Sequence, residues 1–93
     1  MEFYSIDDKK CRTPLFVVQE ECETPFEKMF AYVQQKTGYE IDMYKRIVCY
    51  ENHLKAMIDH MNIVLESQPC FIGFRSIVEG ILCAEKCIVF LGD

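Results

Sequence analysis

The 93-residue sequence is poor in glycine, and its few glycines do not fall into a nucleotide-binding motif. They have neither the spacing of a Walker loop nor that of the dinucleotide fingerprint, so the sequence offers no ready cradle for phosphate. The four glycines are Gly38, Gly73, Gly80 and Gly92. The sequence also lacks an apolar run of the ~18 residues that a membrane-spanning helix needs, and we expect no membrane span.

Basic residues are scarce as well. Ten Lys and Arg stand against fifteen Asp and Glu, which gives a net charge of −5. A nucleic-acid interface needs a basic patch that neutralises phosphates, and the few basic side chains form only short clusters, so we expect no nucleic-acid partner. The first ten residues lack the basic n-region and the apolar h-region of a secretory leader. This leads us to expect a reducing, cytoplasmic location.

The chain contains six cysteines, and their even number does not by itself decide between disulfides and free thiols. They are spread along the chain, at Cys11, Cys22, Cys49, Cys70, Cys83 and Cys87. A chain whose residues are 51% hydrophobic can build a core without a disulfide scaffold. In a reducing compartment we therefore expect most of these thiols to be small, buried hydrophobic side chains.

The patterning predicts a single α+β domain over residues 1–93. Two short apolar runs, Glu2–Ile6 and Leu15–Val18, flank a polar connection and predict an N-terminal β-hairpin. The β-branched run Cys87–Leu91 predicts a C-terminal strand that completes a small three-stranded sheet, packed by about three helices. If that last run is instead a terminal helix, the protein is mostly α.

The first predicted helix has the clearest start signal, because Thr24 can act as an N-cap ahead of Pro25 and Glu27. This helix is expected to end at Gly38, in the left-handed conformation. Its apolar face consists of Phe26, Met29, Phe30 and Val33. A later helix, capped by Ser76, is predicted to carry the apolar residues Ile77, Val78, Ile81 and Leu82.

The longest predicted helix runs from Asp42, its expected N-cap, to Gln68, where Pro69 stops it. Its apolar residues recur at helical spacing: Ile47, Tyr50, Leu54, Met57, Ile58, Met61, Val64 and Leu65. We favour one continuous helix because this stripe stays in phase along its whole length. The alternative is a β-branched strand at Arg46–Tyr50 that precedes a shorter helix, Asn52–Gln68.

Two pairs of cysteine and histidine residues have the character of metal ligands. Cys49 and His53 lie four residues apart on the predicted long helix, which puts both side chains on one face. Cys83 and Cys87 are also four residues apart. Together the pairs could supply the Cys₃His tetrahedron of a structural zinc site, with His60 as a substitute ligand. The alternatives are ordinary packing of these side chains, or a Cys49 nucleophile activated by His53.

The apolar side chains indicate an interaction protein rather than an enzyme, because no catalytic motif is present. Seven Phe, five Tyr and five Met exceed what we expect so small a core to hide. Met43, Met57 and Met61 are expected at a partner surface, with burial in the core as the alternative. We therefore expect a non-enzymatic protein-interaction module without a cofactor, a homodimer of accessory, inhibitory or regulatory type. A small zinc-stabilised domain is the alternative.

Overall fold

The computed structural model describes residues 1–64, 69–84 and 86–92 and has an α+β architecture. Within these residues, four antiparallel strands form one sheet, and three α-helices pack against it. In chain order the elements are β1 (Glu2–Ser5), β2 (Phe16–Val17), α1 (Glu23–Thr37), β3 (Arg46–Cys49), α2 (Glu51–Val64), α3 (Ile72–Cys83) and β4 (Ile88–Leu91). The predicted fold class is confirmed.

The sheet has the strand order β2-β1-β4-β3. The predicted N-terminal hairpin is present as β1 and β2, and the predicted C-terminal strand is present as β4. β4 pairs with β1 over its whole length, from Glu2 opposite Leu91 to Ser5 opposite Ile88. The first and last strands of the chain therefore form the centre of the sheet.

The fourth strand, β3, corrects the prediction of one continuous helix from Asp42 to Gln68. Arg46–Cys49 pairs along its length with β4. Its β-branched side chains fit a pleated sheet well, and the pairing overrides the helical phase of the apolar stripe. The helix begins only at Glu51, close to the start given by the alternative. The predicted members Leu65 and Gln68 lie outside the described residues.

The three predicted N-caps do not cap helices. Thr24 lies inside α1, because a 3₁₀ turn at Glu20–Cys22 leads directly into that helix. Asp42 lies ahead of β3, where its carboxylate accepts the backbone N–H of Tyr44 at 2.8 Å. Ser76 lies within α3, which also follows directly from a 3₁₀ turn. A turn that already satisfies the first N–H groups makes a side-chain cap unnecessary.

The core lies between the helices and one face of the sheet. The four apolar residues predicted on α1 are all buried, and α1 ends as predicted at Gly38, whose φ is +78°. The seven phenylalanine rings form a connected cluster, with centroid distances from 4.6 to 6.3 Å. Six of the rings are buried and that of Phe16 is half-buried. The expectation that the core cannot hide these aromatic side chains is wrong for phenylalanine.

A disulfide between Cys22 and Cys70 corrects the expectation that most of the thiols are buried hydrophobic side chains. Their Cα atoms are 5.7 Å apart, and the bond joins the turn before α1 to the turn before α3. The other four cysteines are free, but only Cys49 among them is buried. Proximity in the folded chain, which residue spacing does not reveal, is what pairs the two cysteines.

Candidate functional site

The junction between β3 and α2 holds the predicted pair Cys49 and His53. Tyr50 is the residue between the two elements, and His53 is the third residue of the helix. The backbone N–H of Tyr50 donates to Nδ1 of His53 at 2.9 Å. A side chain at this position that accepts the N-cap N–H makes half of a capping box, with histidine in place of Glu or Gln. His53 therefore holds the start of α2.

Tyr39 covers both this histidine and the outer edge of β3. Its ring stacks on that of His53, with 3.8 Å between the centroids and 8° between the planes. Its hydroxyl donates to the carbonyl oxygen of Val48 at 2.7 Å. Burial raises the pKa of Tyr39, which keeps the phenol protonated and able to donate. A hydrogen bond at this edge leaves less of β3 free to pair with a further strand.

The protonation states of Cys49 and His53 do not favour nucleophilic catalysis. Cys49 is fully buried, and burial raises the pKa of its thiol to about 12. Burial lowers the pKa of His53, so both side chains are neutral near pH 7. A nucleophilic cysteine acts as a thiolate, and very little thiolate is present at such a pKa. The geometry of the junction is that of a packed helix start.

The four predicted zinc ligands do not meet in this fold. Among residues 1–64, 69–84 and 86–92, no group of three or more His, Cys, Asp or Glu side chains is placed to hold a metal ion. Cys83 is exposed at the end of α3, whereas Cys87 is half-buried and precedes Ile88, the residue that pairs with Cys49. Nδ1 of His53 is an acceptor, so its proton sits on Nε2 and neither nitrogen offers a free lone pair. The zinc site stays a prediction of the sequence.

His60, the substitute ligand, packs away from the junction. It lies about two helical turns beyond His53 on α2. Its ring centroid is 5.2 Å from that of Tyr32 and 6.0 Å from that of Phe71. Burial lowers the pKa of His60. The side chain therefore serves as an aromatic packing residue between α2 and its neighbours.

The methionines predicted at a partner surface lie mostly inside the protein. Met57 and Met61 are fully buried on α2 and belong to the core. Met43, ahead of β3, is half-buried and packs against the same core. In this fold Met57 and Met61 take the alternative role of core packing, and their flexible thioethers fill space between the helices.

The face of the sheet that turns away from the helices carries apolar side chains that helical periodicity does not reveal. Residues paired on antiparallel strands share a face, and the register assigns two rows to this side. We call these rows the outer face: Val17, Glu2, Leu91 and Arg46 in the first row, and Tyr4, Val89 and Val48 in the second. These residues do not belong to the core cluster, which instead includes Phe3 and Phe90 from the opposite face.

The outer face is apolar at its centre and along β2. Tyr4 and Val89 at its centre are only 6% and 0% exposed, although they lie outside the core cluster. Val17, on the adjacent strand β2, remains 45% exposed, and Leu15, just ahead of that strand, is 38% exposed. Burial, followed by the nearby Glu2 carboxylate, raises the pKa of Tyr4, which keeps the phenol neutral. The centre of this face is therefore covered within the chain, and its exposed apolar surface lies at Val17 on the rim.

No helix within the described part of the chain is both long enough and apolar enough to cross a membrane. Comparisons of the chain with protein-family models, with curated proteins and with solved structures return no match. Function is therefore inferred from the geometry of the outer face and of the β3–α2 junction.

Proposed function

We propose that this protein is a non-enzymatic protein-interaction module that self-associates through the outer face of its sheet. The position of its exposed apolar side chains supports the proposal. Val17 stays exposed on the outer face, and Leu15 stays exposed two residues ahead of it in the chain. Apolar side chains gathered in one patch mark an interaction surface, whereas single exposed ones are ordinary.

The outer face is a better interaction surface than the edges of the sheet. At one edge, the hydroxyl of Tyr39 already occupies the carbonyl oxygen of Val48. At the other edge, β2 is only two residues long. Short or blocked edges support little strand pairing. Face-to-face packing of two sheets instead uses the side chains that protrude from each face.

The size of the outer face indicates a weak dimer that depends on concentration. Four strands spaced about 4.8 Å apart and two rows of residues cover much less than the ~800 Å² per partner of a stable interface. We therefore expect a dissociation constant in the micromolar range or above. The proposed role is that of an accessory or regulatory protein whose dimeric fraction rises with the concentration of the protein.

The disulfide bears on where such a module works. Disulfides persist in oxidising compartments and are rare in a reducing cytoplasm. The cytoplasmic location expected from the sequence therefore requires that Cys22 and Cys70 be reduced in the cell. Alkylation of thiols before lysis, followed by mass spectrometry, distinguishes the two states. Six alkylated cysteines support the cytoplasmic location, and four contradict it.

Sedimentation equilibrium over a dilution series, up to about 1 mM, tests self-association through the outer face. Val17→Lys places a charge where each copy would bury part of a valine, a loss of about 1–2 kcal/mol per dimer. We expect its dissociation constant to be about 5- to 30-fold higher than that of the wild type. Ile63→Lys is the matched control, because Ile63 is 70% exposed on α2, away from the sheet face.

Thermal unfolding of both variants establishes that they are folded before their association is compared. A wild-type protein that stays monomeric over the whole series contradicts self-association. Equal weakening by Val17→Lys and Ile63→Lys contradicts the assignment of the interface to the outer face.

A further inference from the structure

The outer edge of β3 presents backbone groups that point away from the rest of the sheet. The N–H of Gly92 donates to the carbonyl oxygen of Lys45 at 3.0 Å, which fixes the alternation of the ladder between β3 and β4. In an antiparallel ladder, every second residue turns its N–H and C=O groups to the opposite side. On β3 these residues are Arg46 and Val48, and β3 is the last strand on this side of the sheet.

Tyr39 already contacts one of these outward groups. Its hydroxyl donates to the carbonyl oxygen of Val48 at 2.7 Å, although Tyr39 lies in the connection between α1 and β3 and not in a strand. We call this hydrogen bond the edge contact. The ring is held by stacking on His53, which in turn accepts the backbone N–H of Tyr50. The start of α2 therefore keeps the edge contact in place.

A second copy of β3 fits this edge when the two strands run antiparallel about a two-fold axis at Ile47. Arg46 of each copy then lies opposite Val48 of the other, and both residues turn their backbone groups outward. Such a pair exchanges both of its N–H···O=C bonds, and two-fold symmetry forms the pair twice. The carbonyl of Val48 is one of the required acceptors. The hydroxyl of Tyr39 and a second strand therefore compete for the same carbonyl group.

The composition and length of β3 suit it to this pairing better than β2 at the opposite edge. β3 is four residues long, whereas β2 has only two. Ile47 and Val48 are β-branched, and such residues are enriched in strands. A strand of this kind at an open edge pairs with other chains unless the edge is covered. The edge contact supplies part of that cover.

We infer that the edge contact is autoinhibitory: while Tyr39 holds the carbonyl of Val48 the outer edge of β3 is closed, and when Tyr39 leaves, two copies join through β3. The joined sheets form one continuous sheet across the two-fold axis. The inference goes beyond the proposed function, because it concerns a strand edge and not the outer face. It describes a second mode of association, which the edge contact suppresses.

Tyr39→Phe tests the edge contact, because it keeps a ring against His53 and removes only the hydroxyl. In sedimentation equilibrium we expect the dissociation constant of this variant to be at least about tenfold lower than that of the wild type. In hydrogen exchange we expect the amides of Arg46 and Val48 to gain protection as the protein concentration rises. Tyr44→Phe is the matched control, because Tyr44 is 79% exposed and lies just ahead of β3. We expect it to change the dissociation constant less than about threefold.

Proline substitutions separate edge pairing from association through the outer face. Val48→Pro removes an N–H that points away from β4, so the ladder with β4 keeps its hydrogen bonds while a second strand loses a donor. We expect Tyr39→Phe/Val48→Pro to lose the gain in association. Arg46→Pro, at the other outward position, is a second variant of the same kind. We expect Tyr39→Phe/Val17→Lys to keep the protection of the edge amides, and thermal unfolding establishes which variants are folded.

The outcomes distinguish the edge contact from the proposed function. If the wild type dimerises and Tyr39→Phe associates no more tightly than Tyr44→Phe does, the autoinhibitory role is overturned and the proposed function stands. A gain in Tyr39→Phe that survives both proline substitutions overturns pairing through β3. If the wild type stays monomeric while Tyr39→Phe dimerises with protected edge amides, the proposed function fails and the autoinhibitory role stands.

Discussion

Loss of the Cys22–Cys70 disulfide is expected to remove a large part of the free energy of unfolding. The two cysteines are separated by 48 residues in the chain. The loop-closure relation assigns about 4 kcal/mol at 25 °C to a cross-link across a loop of this length. Small domains have a total free energy of unfolding of about 5–15 kcal/mol. The disulfide therefore contributes a large fraction of the free energy of unfolding, and the protein without it is expected to be only marginally stable.

Urea denaturation of the double variant Cys22→Ala/Cys70→Ala measures this contribution. We expect a loss of about 2–4 kcal/mol relative to the oxidised wild type, and a similar loss when the wild type is reduced. Cys83→Ala is the matched control, because Cys83 is free and exposed. We expect that substitution to change the free energy of unfolding by less than about 0.5 kcal/mol.

Two results would refute different parts of this reasoning. Six reactive thiols in the unfolded, unreduced protein would refute the disulfide itself. Four reactive thiols, together with the same free energy of unfolding in oxidised and reduced protein, would leave the bond in place but refute its role in restricting the unfolded chain.

Three further predictions concern pH, glycine and metal. Burial lowers the pKa of both histidines, so the unfolded chain binds more protons; we expect urea titrations to show stability falling below about pH 6.5, by up to about 1.4 kcal/mol per pH unit per histidine. His53→Gln, which keeps the capping acceptor, should roughly halve that slope, and an unchanged slope would contradict the role of His53. A Cβ at Gly92 would collide with the backbone carbonyl of Met43, whereas a Cβ at Gly80 would meet nothing within 4 Å. In thermal unfolding we therefore expect Gly92→Ala to lose about 1–3 kcal/mol and Gly80→Ala to gain about 0.5–1 kcal/mol, and equal effects would contradict this. The zinc hypothesis predicts bound zinc after purification without chelator and a lower melting temperature in EDTA, and it fails if neither is seen.

The elements that could be predicted from the sequence are those whose local signals agree with the final packing. The apolar face of α1 and its end at Gly38 follow from helical spacing and from the left-handed preference of glycine. The strands β1, β2 and β4 follow from short β-branched and aromatic runs. In these segments, local preference and tertiary packing favour the same structure.

The segment Arg46–Cys49 shows why the sequence favours one continuous helix over the alternative with a strand. Its apolar residues continue the helical phase of α2, and only pairing with β4 shows that they belong to a strand. With one continuous helix, the expected start is Asp42, and His53 then lies in the middle of the helix. The capping role of His53 is therefore not apparent from that prediction. With the start at Glu51, a polar side chain at the third helical position would have been a readable signal.

The outer face could not be predicted because it depends on strand register. Val17 and Phe16 lie on opposite faces of β2, but the sequence does not tell which of the two faces the helices cover. The same holds for Tyr4, whose aromatic side chain is equally suited to a core. Only the pairing of all four strands separates the outer face from the core.

Isotope-filtered NMR on a mixture of labelled and unlabelled protein tests the central claim most directly, because it detects contacts between copies. Self-association through the outer face covers Val17, which stays 45% exposed on this face. We predict intermolecular NOEs that involve the methyl groups of Val17 at concentrations where the dimer is populated. Intermolecular NOEs confined to helix methyl groups, such as those of Ile63 and Ile72, would contradict it.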